Sequence, residues 1–183
     1  MNLWDPPAEF VEPLVALSAC HRRIEKQIAA LARLQKHVAH SGFDHEARDT
    51  AAAILAYFID ATPRHYADEQ DLFPMVLRAA EASADRALAF DMVAHLLVEQ
   101  GETESNWVRL REALECLQTG EKSEIDSQLC KDFTSNYLSH IDREDKQLFP
   151  LAARLLSKAD LDALGCAMAK RRGLPPPVFI PDK

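Results

Sequence analysis

Two stretches of this chain carry nearly the same phrase: "HYADEQDLFP" from His65 to Pro74, and "HIDREDKQLFP" from His140 to Pro150. Each has a His, a Glu four residues later (Glu69 after His65, Glu144 after His140) and a closing Leu-Phe-Pro. Residues four apart on a helix lie on the same face, so each imidazole and its carboxylate point the same way. Imidazole with carboxylate is a donor set for iron, manganese or zinc. Burying a bare carboxylate in an apolar interior is costly, and the usual remedy is to pair it or give it a metal. Neither face offers an inward Lys or Arg for that purpose. Two carboxylates from different helices can also bridge two metals. Each copy of the phrase would then supply one terminal ligand and one bridge.

Helices must position these residues, and the composition favours helix. The 183 residues include only five glycines, and alanine, leucine, glutamate and arginine dominate. A first helix is expected from about Pro13 to His40, after an extended start around Pro6 and Pro7. Its apolar seam is Leu14, Leu17, Ile24, Ile28 and Leu31, and His21 occupies a core slot within it. A second helix covers about Glu46 to Glu81, with Pro63 and Pro74 expected to kink or break it. A third covers about Ala84 to Leu117. A fourth covers about Ser123 to Lys158, with Pro150 inside, and a short fifth runs from about Leu161 to Arg172. The tail from residue 173 is too rich in proline to be helical. Four long helices with short connections imply an all-α, antiparallel, up-down-up-down bundle forming a single domain. Leu72 and Val76 continue the His65–Glu69 face, while Phe133, Tyr137 and Leu148 flank His140 and Glu144. Three helices thus deliver three imidazoles and two carboxylates to the interior.

Charge and cysteine usage exclude other classes. The net charge is −8, and no basic stripe exists to neutralise phosphates, which argues against a nucleic-acid partner. Cys20, Cys116, Cys130 and Cys166 are scattered and read as free thiols of a reducing compartment. No stretch approaches the ~20 apolar residues that span a bilayer, and the first residues lack the pattern of a signal peptide. The expected location is cytoplasmic.

With these residues in view, the sequence resembles the hemerythrin-like family, the HHE cation-binding domains. "CHRRIEKQ" around His21 is similar to the family's first ligand helix. The two His-x-x-x-Glu phrases resemble its second and fourth, and the resemblance extends over about residues 10–172. It implies a non-haem di-iron site in a four-helix bundle, although a single metal, zinc or manganese also suits the donors. By that resemblance, His21 and His65 are terminal ligands on one metal, His140 is terminal on the other, and Glu69 and Glu144 bridge. Hemerythrins proper use an Asp five residues after the last His, where Asp145 stands. Five residues rotate a side chain by ~140° on a regular helix, so Glu144 is preferred.

The third helix departs from the family, which places a ligand His there. The matching stretch "EQGETESNW" has Gln100 at that position, whereas His95 lies nearby with Glu99 four residues on. The apolar stripe of this helix comprises Val93, Leu96, Leu97, Trp107, Leu110 and Leu114. At 100° per residue, Gln100 falls within about 30° of its centre and His95 about 110° away. Gln100 is therefore the expected inward residue and a weak ligand at the second metal position. His95 is expected at the surface, as are His37, His40 and His45.

The functional expectation is a non-haem iron protein that binds O2 or NO, or handles iron under oxidative or nitrosative stress. One alternative is a diiron peroxidase or NO reductase, for which Tyr137 is the nameable proton donor. Another is a bundle with a degenerate site that serves as an interaction module, the reading that Gln100 favours.

Overall fold

A computed structural model describes residues 10–120 and 124–179. All regular structure among them is helical: α1 (Pro13–Ser41), α2 (His45–Ala80), α3 (Arg86–Thr119), α4 (Ser127–Arg143), a π turn (Glu144–Leu148), α5 (Phe149–Leu155) and α6 (Lys158–Arg171). The expected extended start at Pro6 and Pro7, the helix start at Ser123 and the tail beyond Phe179 lie outside the described residues. Local chemistry sets the ends. Gly42, at φ 82°, stops α1, and Asp44 then accepts the Ala47 N–H at 2.9 Å to start α2. Asp126 caps α4, and Ser157 with Asp160 forms a capping box on α6.

Pro63 and Pro74, expected to kink or break the second helix, leave α2 unbroken from His45 to Ala80. Each removes one i→i−4 hydrogen bond, but both prolines are exposed, as are Ile59 and Gln70, whose carbonyls lose a partner. An exposed position lets an orphaned carbonyl be satisfied by water. The fourth helix does differ from a regular one. Its i→i−4 ladder gives way to the wider π spacing between Glu144 and Leu148 before α5 resumes at Phe149.

Contacts divide the chain into two compact units, and the division cuts through α1, α2 and α3 rather than falling in linkers. The first comprises Met1–His21, Arg64–Val93 and Asp145–Lys183. Its core includes Leu17, Leu72, Val76, Leu148, Phe149, Leu164 and Met168. Here α6 is tied to α2: Arg171 bonds Asp68 and Asp71, and Arg172 bonds the fully buried Asp68. Phe10 crosses α6 so closely at Gly165 that a Cβ there would lie 2.1 Å from the Phe10 carbonyl oxygen.

The second unit comprises Arg22–Pro63 and Ala94–Glu144. Ile24, Ile28, Leu31, Ile54, Leu96, Leu110 and Leu114 are fully or nearly fully buried in it. Phe58 packs against Trp107 and Phe133 with ring centroids 5.0 and 5.3 Å apart, and Phe133 meets Tyr137 edge-on. Tyr137 thus belongs to an aromatic cluster. The α3 stripe is narrower than expected, since Leu97 is half exposed. It sits one residue beyond Leu96, which already fills that turn's inward position.

Candidate metal centre

In the first unit the α1 seam delivers His21 and the α2 face delivers His65 and Glu69, all three with no solvent exposure. Each presents a ligand atom within 4.8 Å of the others. His21 Nε2 lies 3.2 Å from His65 Nε2, and His65 Nε2 lies 2.7 Å from Glu69 Oε1. The two imidazoles meet edge to face, and Phe149 stacks on His21 at 5.4 Å. Burial alone would push the His65 imidazole down. The Glu69 carboxylate beside it, with Cys20, outweighs that and holds it well above the ordinary histidine range.

The outer face of His21 fixes its tautomer. Its Nδ1 lies 3.0 Å from Asp145 Oδ1, and Ser18 Oγ donates to that same oxygen at 2.8 Å. A carboxylate accepts only, so the His21 proton sits on Nδ1 and the Nε2 lone pair turns inward. That is the arrangement metal-bound histidines need. Two imidazole nitrogens and a carboxylate oxygen converging in a dry interior fit a divalent cation such as iron, manganese or zinc.

In the second unit α4 delivers His140, 1% exposed, and the first residue of the π turn is Glu144, fully buried. His140 Nε2 faces Glu144 Oε2 at 3.6 Å, and its Nδ1 faces Glu99 Oε2 at 3.7 Å. Arg143 grips Glu99 through Nε, 3.2 Å from both carboxylate oxygens, and through Nη2 at 2.9 Å. On α3, Gln100 is buried and His95 exposed. One turn beyond Gln100, Thr103 is buried and donates to the Glu99 carbonyl at 2.8 Å.

All six residues singled out by type and spacing (His21, His65, Glu69, His140, Glu144 and Gln100) are therefore interior residues. Sequence reasoning missed the residues behind them. Ser18 and Arg143 were not considered, Glu99 was noted only as part of a phrase with His95, and Asp145 was weighed only as a ligand. A signal for part of this was present. Leu72 follows Glu69 by three residues, whereas Leu148 follows Glu144 by four. The second phrase contains one extra residue, and a π turn is what absorbs one extra residue inside a helix. With it absorbed, Leu148 and Phe149 stay buried like Leu72 and Phe73, and Asp145 turns to His21.

An all-helical chain with paired His-x-x-x-Glu turns facing inward defines a helical metal-binding protein. Residues 12–152 match the hemerythrin HHE cation binding domain, and the chain belongs to that family. It is also similar to an uncharacterized protein of Haemophilus influenzae, with 29% identity over 175 residues, covering 94% of this chain and 98% of that protein. No helix among the described residues is long and apolar enough to cross a membrane.

Proposed function

We propose that the protein is a non-haem iron protein whose His/Glu centre binds O2 or NO, or holds iron for use under oxidative or nitrosative stress. Membership of the cation-binding family supports metal binding. The observation that carries the reading furthest is the convergence of His21 Nε2, His65 Nε2 and Glu69 Oε1 in a fully buried site. His21, His65 and Glu69 would hold one metal, and His140 and Glu144 would hold a second, with Gln100 as its weak additional donor. Iron bound there would supply redox chemistry and affinity for a diatomic ligand. The protein's part is to exclude water and to hold His21 with its Nδ1 on Asp145 and its Nε2 turned inward. Tyr137 lies within the aromatic cluster of Phe58 and Phe133, so packing accounts for it without a proton-donor role, and a binding function is preferred to an enzymatic one.

Anaerobic reconstitution with ferrous iron tests this reading. Between one and two irons per chain are expected, with an optical spectrum that changes on adding O2 or NO. A chain that takes up no iron overturns the reading. Iron uptake without any response to either gas leaves iron holding as the function.

A further inference from the structure

We infer that Glu99, gripped by Arg143, is the positioning residue for His140, so that His21 and His140 each have an outer carboxylate of their own. The inference rests on the reading of both histidines as metal ligands. A neutral imidazole has one N–H and one lone pair, and the partner of one nitrogen decides whether the other can bind a metal. His21 has that partner in Asp145, anchored by Ser18. His140 is oriented the same way round, with Nδ1 toward Glu99 and Nε2 toward Glu144. At 3.7 Å the Glu99 contact is longer than a hydrogen bond, but the carboxylate is not free to swing away. Arg143 holds both its oxygens in a fork, and Arg143 and His140 come from the same turn of α4. That turn grips Glu99 with one side chain and presents the imidazole to it with another.

Release of ferrous iron to a coloured chelator, from protein reconstituted anaerobically, tests this. Glu99→Ala is expected to release part of its iron about 10–100-fold faster than the parent. Glu99→Gln keeps an acceptor oxygen and should recover part of that loss. Melting of the metal-free variants should stay close to the parent, because Glu99 packs at the edge of the core. A parent that binds no iron overturns both this inference and the function it rests on. Iron release from Glu99→Ala at the parent's rate overturns the inference alone, as does a loss of iron matched by collapse of the metal-free fold. The imidazole 15N spectrum of the zinc-loaded parent provides a check that needs no variant. It should show His140 bound through Nε2 with its proton on Nδ1, and ligation through Nδ1 overturns the assignment.

Discussion

On the proposed reading, Gln100 is the residue on which the number of metals turns. It is buried on α3 where the family places an imidazole, and a neutral amide oxygen is a poor ligand for iron beside an imidazole nitrogen. Gln100→His is expected to raise the iron-to-protein ratio and slow its loss to a chelator, since the two side chains have similar reach. His95→Ala should leave metal content unchanged, because His95 is exposed. Metal analysis of both variants decides the matter, and a large loss in His95→Ala would reverse the assignment of this helix. At this scale the burial of the candidate ligands was legible, because helical period alone separates inward from outward positions. The outer residues were not. Ser18, Asp145, Glu99 and Arg143 matter through contacts between helices, and one helix's period says nothing about a partner on another.

At the scale of elements, the two versions of the repeated phrase behave differently because they differ by one residue. The α2 copy stays α-helical throughout, while the fourth-helix copy widens into the Glu144–Leu148 π turn. Deleting Lys146, an exposed residue of that turn, makes the copies equal in length. The variant should keep its helix content by circular dichroism, since Leu148 and Phe149 can then face inward as Leu72 and Phe73 do. It should nevertheless lose iron about tenfold faster, because Asp145 depends on the wide turn to reach His21. Unchanged iron release would show that the π turn has no role at the centre. The prolines carry a related lesson. Pro63 and Pro74 were expected to kink or break the helix because a proline's cost was read without its burial, and an exposed proline can leave its orphaned carbonyl to water. Gly165 was not singled out, since its role comes from Phe10 crossing α6, a contact far apart in sequence. Gly165→Ala should cost about 1–3 kcal/mol, as overpacking does. A thermal melt equal to the parent's would mean that the Phe10 segment lifts away without penalty.

At the scale of the whole molecule, the fold carries its own cost for the centre. His21, His65, Glu69, His140 and Glu144 are all at most 1% exposed, and burying such groups without a cation works against the hydrophobic gain that holds the helices together. The metal-free protein offsets part of this by placing His65 against Glu69, where the imidazole holds a proton to unusually high pH. A cation held there by His21, His65 and Glu69 would take the place of that proton. Because the unfolded chain does not hold these donors together, metal stabilises the native state by mass action. The gain is about 2.7 kcal/mol when free metal is a hundredfold above its dissociation constant. For a chain of 183 residues, each kcal/mol moves Tm by about 2–4 °C, so ferrous iron at that excess should raise Tm by roughly 5–11 °C. The shift should grow further with iron concentration. His65→Ala should abolish most of the iron-dependent shift, and it should also lower the metal-free Tm, since it leaves the buried Glu69 without its imidazole partner. Differential scanning measurements with and without iron separate the two effects. If the parent and His65→Ala gain equally from iron, the stabilising cation binds elsewhere, and His65 is a core histidine paired with Glu69 rather than a ligand.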